Sequence, residues 1–141
     1  MQLKIILDVN IILSAIIKDS ITRKVIFESG HTFYFPEYAF KKIEKYKDYI
    51  LAKSGLEAEE FSNLLKSLFK HIEIISTGNL ADSWEKSMDI IEKIDSEDVV
   101  FIAAALTIQD AAIWSDDNHF DKQNAVKVLK TKDMIEFIKG K

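Results

Sequence analysis

Near its start the chain runs Leu3-Lys4-Ile5-Ile6-Leu7 and stops at Asp8, and this short, nearly continuous apolar run cut off by an acid constrains the fold most. A strand without polar alternation is buried on both faces, which points to a parallel sheet carrying helices on either side. Comparable runs follow at Thr32 to Phe35, Ile72 to Ile75, Ala111 to Trp114 and Ala125 to Leu129. Every interval between them is long enough for a helix, as a parallel crossover requires. The expected fold is therefore α/β, a sheet between two helical layers.

The intervals carry helix signals of their own. Asn10 is placed to cap a helix reaching Ile17, and Gly30 ends a second one over Thr22 to Ser29. Pro36 and Glu37 open a long helix to about Lys53, which Ser54 and Gly55 break. Phe61, Leu64, Leu65, Leu68 and Phe69 recur at helical spacing. Asn79, with Asp82 three residues on, reads as the cap of the next helix, and Asp95 with Ser96 as the start of another. The body of that last one, Val99 to Leu106, is apolar on all sides and is expected to lie inside the domain. A final helix runs from Thr131 to Ile138.

A length of 141 residues suits a single domain spanning 1–141, and 48% apolar residues supply its core. With no cysteine, disulfides, thiolate metal sites and cysteine nucleophiles are excluded. The apolar start is interrupted by Asp8 and Asn10 and lacks a basic cluster or cleavage pattern, so export is disfavoured. No later apolar run approaches the roughly 20 residues of a membrane span, and a soluble cytoplasmic protein is expected. The net charge of -4 hides its distribution. Acids crowd between Asp95 and Asp121, whereas Lys41, Lys42, Lys45, Lys47 and Lys53 cluster elsewhere. An acidic site that binds metal reverses its own local sign, so the total does not exclude a nucleic-acid partner.

Two candidate strands end on acids, at Asp8 and at Ser115-Asp116-Asp117, and open α/β sheets bind ligands at the carboxyl ends of their strands. Asp98 begins the buried helix leading into the second of these strands. Glu44 borders the apolar face of its helix and could look inward. Each acid alone also has an ordinary structural reading: Asp95 and Asp98 as cap and capping-box acid, Asn10 as a cap, Ser115 as a strand-end hydroxyl. His119, Trp84, Trp114 and the lysines read most simply as surface, core, core and solvated face.

Taken together, Asp8-Val9-Asn10 after an apolar strand, Glu44 on the helix beyond the second strand, Asp98 leading Val99 to Leu106, and Trp114-Ser115-Asp116-Asp117-Asn118-His119-Phe120 resemble the successive acidic motifs of PIN domains. The resemblance covers nearly the whole chain. It implies a five-stranded parallel sheet and a Mg²⁺- or Mn²⁺-dependent ribonuclease acting on single-stranded RNA, commonly the toxin of a toxin-antitoxin pair with an antitoxin protein as partner. The family's acids fall on Asp8, Glu44, Asp98 and Asp117, with Asn10 and Ser115 supporting, where the family often has threonine in place of Ser115. The hydroxyl-x-acid pattern selects Asp117 over Asp116. The apolar stripe from Phe61 to Phe69 and the region of Tyr46, Tyr49 and Ile50 suggest a homodimer. Two alternatives stand beside this reading. A haloacid-dehalogenase-like phosphatase also places an aspartate after its first strand, but Asn10 replaces the general acid it needs. A PIN-like scaffold that binds RNA or protein without turnover keeps the same fold.

Overall fold

The computed structural model describes residues 2–17 and 20–139. Five strands, β1 (Lys4–Leu7), β2 (Thr32–Pro36), β3 (Ile72–Ile75), β4 (Ala111–Trp114) and β5 (Val128–Leu129), form one sheet in the order β3-β2-β1-β4-β5. All four pairings are parallel, and Leu7 stands beside Trp114 at the end of the β1–β4 ladder. Ile5, Ile6 and Leu7 are all fully buried although successive side chains point to opposite faces, so the middle strand is covered on both sides. This is the three-layer arrangement that unalternating apolar runs demand.

Seven α-helices flank the sheet among the described residues: α1 (Val9–Ile16), α2 (Ile21–Glu28), α3 (Phe40–Ser54), α4 (Ala58–Phe69), α5 (Ala81–Ile91), α6 (Val99–Thr107) and α7 (Thr131–Lys139). Helix α1 packs with α2, α3 and α4, and α2 with α7. Helix α5 packs on α6, which lies against β1, β2 and β4. Val99 through Ala105 are all buried, so α6 is the internal helix that its unbroken apolar sequence requires.

Several boundaries differ from expectation for local reasons. Asn10 is not a cap: the N-cap position of α1 is Asp8, whose carbonyl accepts from Ile11 and Ile12 while its side chain turns elsewhere. Asn79 does not cap α5 either, because a 3-10 turn, Thr77–Leu80, runs straight into that helix and buries Leu80. Helix α3 follows a 3-10 turn, Glu37–Ala39, rather than starting at Pro36, and ends at Gly55, whose φ of 74° is the left-handed conformation glycine takes without strain. Strand β5 keeps only two residues of the expected five. Gln123 explains this: its amide donates to Phe120 and Val126 carbonyls and accepts from the Val126 N–H, holding the preceding segment in a loop.

The apolar stripe of α4 is largely consumed inside the protein. Phe61 and Leu68 are buried, and Leu64, Leu65 and Phe69 pack partly buried on the core, so that stripe is weaker ground for a dimer than the sequence implied. No helix among the described residues is long and apolar enough to cross a membrane.

Candidate active site

In the order β3-β2-β1-β4-β5 the connections run one way from β1 and the other way from β4, so the topological switch point lies between these two strands. Crevices at such points, beyond the carboxyl ends of the strands, are where open α/β sheets bind ligands. Here the chain leaving β1 supplies Asp8, and the chain leaving β4 supplies Ser115 and Asp117. The ladder extends this far, since the Asp8 N–H donates to the Trp114 carbonyl at 3.2 Å.

Ser115 joins the two acids. Fully buried, it donates its hydroxyl proton to Asp8 Oδ2 at 2.7 Å and accepts the Asp117 N–H at 3.0 Å. Asp117 Oδ1 in turn accepts the His119 N–H at 2.9 Å, starting the 3-10 turn Asn118–Lys122. Asp116 faces away. Its carboxylate accepts the Thr131 N–H at 2.8 Å and the Thr131 hydroxyl, fastening the start of α7.

The third acid comes from the entry to α6. A 3-10 turn, Ser96–Asp98, is capped by Asp95, which accepts the Glu97 N–H at 2.9 Å, and the turn leaves Asp98 buried at the helix entrance. His119 Nδ1 lies 2.9 Å from Asp95 Oδ2, 3.3 Å from Asp117 Oδ1 and 3.5 Å from Asp98 Oδ2. Asp8, Asp95, Glu97, Asp98 and Asp117 line one small cavity of about 140 Å³, with Asn10, Tyr46 and Lys42 on its wall. Lys42 donates from Nζ to the Glu97 carbonyl at 2.8 Å and stands 3.8 Å from the Glu97 carboxylate.

Five carboxylates against one lysine make a site that resists its own ionisation. Burial first, then repulsion from Asp95, Asp8 and Asp117, pushes Asp98 up to about 7, with Lys42 opposing. Asp8 is raised as well, chiefly by burial; the Ser115 hydroxyl and the Val9 N–H favour its charged form, and Asp117 disfavours it. Asp98 Oδ2 is buried and has no hydrogen-bond partner among the described residues. Such an orphaned oxygen among like charges is what a cation would satisfy. Asp95, Asp98 and His119 can each offer a ligand atom, all within 4.8 Å of one another. The donor set is dominated by carboxylate oxygens and suits a hard divalent ion.

Of the residues expected from sequence, Asp8, Asn10, Asp98 and Asp117 line the cavity, and Ser115 braces it from behind. Glu44 does not: it is exposed on α3, which turns Lys42 and Tyr46 toward the site instead. At 100° per residue, Glu44 sits about 200° from each of these, on the opposite side of the helix. From the sequence Asp95 reads as a cap alone and His119 as surface, whereas both border the site, as do Lys42 and Tyr46. The Lys42–Tyr46 spacing of one helical turn was the readable signal.

A family profile described as PIN domain matches residues 6–137 of the chain. Among solved structures, the chain is similar to one in the crystal structure of VapBC2 from Rickettsia felis bound to a DNA fragment from their promoter. The TM-score is 0.68 at 17% identity, covering 91% of this chain and 98% of that one. No curated protein matches it significantly.

Proposed function

The chain belongs to the PIN domain family, and from that premise we propose that residues 1–141 are a single metal-dependent endoribonuclease domain, the toxin of a toxin-antitoxin pair in the cytoplasm. The observation that carries this reading is the convergence of Asp8, Asp98 and Asp117, from three distant parts of the chain, on one cavity at the switch point of the sheet. Asp8, Asp98 and Asp117 would hold Mg²⁺ or Mn²⁺, with Asp95 completing the set in place of the expected Glu44 and with His119 beside it. When bound, such an ion supplies an activated water and neutralises charge on the phosphate and leaving oxygen.

The protein's own groups prepare this. Ser115 holds the Asp8 carboxylate and the Asp117 backbone N–H through two hydrogen bonds, and the His119 N–H holds Asp117 Oδ1, so both carboxylates are oriented by the protein. Lys42, held by Glu97, adds the one lysine charge on the cavity wall and can meet a phosphate oxygen. No side chain need act as nucleophile, and hydrolysis by water would leave a 5′-phosphate and a 3′-hydroxyl. The likeness to a chain of VapBC2 supports an antitoxin protein as partner. Exposed Ile17 and Tyr49, beside Ile50 in a cavity of about 410 Å³, offer apolar surface for a homodimer.

One observation favours a second reading. The Lys42 ammonium lines the same cavity as the acids, and a built-in cation could neutralise part of the cluster in a PIN-like scaffold without turnover. Incubating purified protein with a labelled single-stranded RNA and Mn²⁺ separates the readings. Cleavage that leaves 5′-phosphates and stops in chelator supports the nuclease. Intact RNA under all metal conditions supports the scaffold, and phosphate release from small esters would point to the phosphatase.

A further inference from the structure

Beside the acidic cavity lies a second, larger one of about 420 Å³ with the opposite character. Tyr38, Trp84, Lys41, Lys42, Lys45 and Glu97 line it. Its charged side chains are three lysines against one glutamate, whereas the neighbouring cavity has five acids against one lysine. Lys42 and Glu97 belong to both, so the two form one continuous surface on which the sign of charge reverses.

The aromatic residues are placed for use by a ligand. Tyr38 is 42% exposed, and Trp84, which its helical spacing suggested as core, is only half-buried. Their rings meet edge to face, with centroids 5.8 Å apart. Lys41 Nζ sits 3.7 Å from the centre of the Tyr38 ring. An ammonium over an exposed ring is a weak contact that a stacking partner can displace. The displaced cation would then be free for a phosphate.

Aromatic faces interleaved with lysines are what single-stranded nucleic acids require: each base has a π-face to stack, and each linkage has a charge to neutralise. A duplex would keep its bases stacked on one another and could not use the rings. We propose that the Tyr38–Trp84 cavity seats an unpaired base of the RNA next to the linkage held at the acidic cavity, with Lys41 and Lys45 on the adjoining phosphates and Lys42 at the boundary. This rests on the nuclease reading above for its choice of RNA. Because stacking accepts any base, the seat selects for unpaired strand and little for sequence.

Intrinsic fluorescence tests it in the intact protein. Trp114 is fully buried in the core, so Trp84 is the tryptophan open to a quenching base. In chelator, where a metal nuclease cannot cut, a short single-stranded RNA should quench the emission, and Trp84→Phe should abolish the quench while leaving the circular dichroism intact. Tyr38→Ala, at an exposed ring, should weaken binding roughly 5- to 150-fold, the range for losing one stacked base. Under Mn²⁺ the same variant should raise KM and leave kcat nearly unchanged. A quench without cleavage would retain the seat and refute the nuclease. Cleavage with no quench, or with KM untouched by Tyr38→Ala, would overturn the seat and retain the nuclease. An equal quench by duplex RNA, or a quench by a polyglutamate peptide and not by RNA, would also overturn it.

Discussion

Replacing Asp98 by Asn should stabilise the metal-free protein, although it removes a residue placed at the centre of the site. Asn keeps the shape of the protonated acid and cannot ionise. In the wild type, burial and three neighbouring carboxylates raise Asp98 from an ordinary 3.8 to about 7. The native state therefore holds that proton more tightly than the unfolded chain does. Its contribution to stability is complete below about pH 4 and is lost progressively as the pH rises to about 7. At 1.36 kcal/mol per unit, the loss is about 4 kcal/mol as an upper bound. The advantage of Asp98→Asn should thus be roughly 2 kcal/mol at pH 5 and about 4 kcal/mol at pH 8. The larger figure corresponds to a midpoint shift on the order of 10 °C. Urea or thermal unfolding in chelator across pH 5 to 8 measures it. Added Mn²⁺ should reverse the order, because an ion that binds only the native wild type raises its stability by mass action. Destabilisation by Asn in chelator at pH 8 would mean instead that the Asp98 carboxylate is held by favourable contacts rather than strained by its neighbours.

Ser115→Ala should cost about 1–3 kcal/mol in unfolding free energy, because it leaves the buried Asp8 oxygen without its donor and the Asp117 N–H without its acceptor. The same variant should bind Mn²⁺ more weakly by calorimetry. Glu44→Gln should leave kcat and KM for RNA unchanged, as the exposed face of α3 dictates; a large loss of activity would restore Glu44 to the site. Light scattering at micromolar concentration should give a dimer mass, and Tyr49→Lys should shift it toward monomer; a monodisperse wild-type monomer would remove the homodimer.

Much of this architecture was legible because parallel strands buried on both faces leave a distinctive trace. Ala111–Trp114 has the limits expected of such a strand, and Ile72–Ile75 has its expected limits too, although it lies at the edge of the sheet with Glu73 and Ile74 exposed. The helix starts were less legible. Asn79 has the chemistry of a cap, but the backbone enters α5 through a 3-10 turn, whereas α4 starts at a capping box formed by Glu57 and Glu60, acids whose pattern is weaker in sequence. At the site, Asp8 and the Asp116-Asp117 pair are legible as acids at strand ends, and it is the hydroxyl-x-acid pattern of the family resemblance that picks Asp117 of the two. Glu44 could not be placed in this way. The rotational phase of α3 is set where Glu37–Ala39 winds as a 3-10 turn and where Ile43 and Ile50 pack, so Lys42 and Tyr46 reach the cavity instead. Asp95 was legible only as a cap; it is one, and its second oxygen also lies 2.9 Å from His119.

The adjacent acids after β4 divide the roles of the site between neighbours, because Asp117 lines the cavity and Asp116 fastens α7. Asp8→Asn, Asp117→Asn and Asp116→Asn should be compared in one Mn²⁺-dependent RNA-cleavage assay, with circular dichroism confirming that each is folded. The first two should lose turnover by orders of magnitude while Asp116→Asn stays close to wild type. A dead Asp116 variant beside a nearly normal Asp117 variant, both folded, would contradict this division of roles.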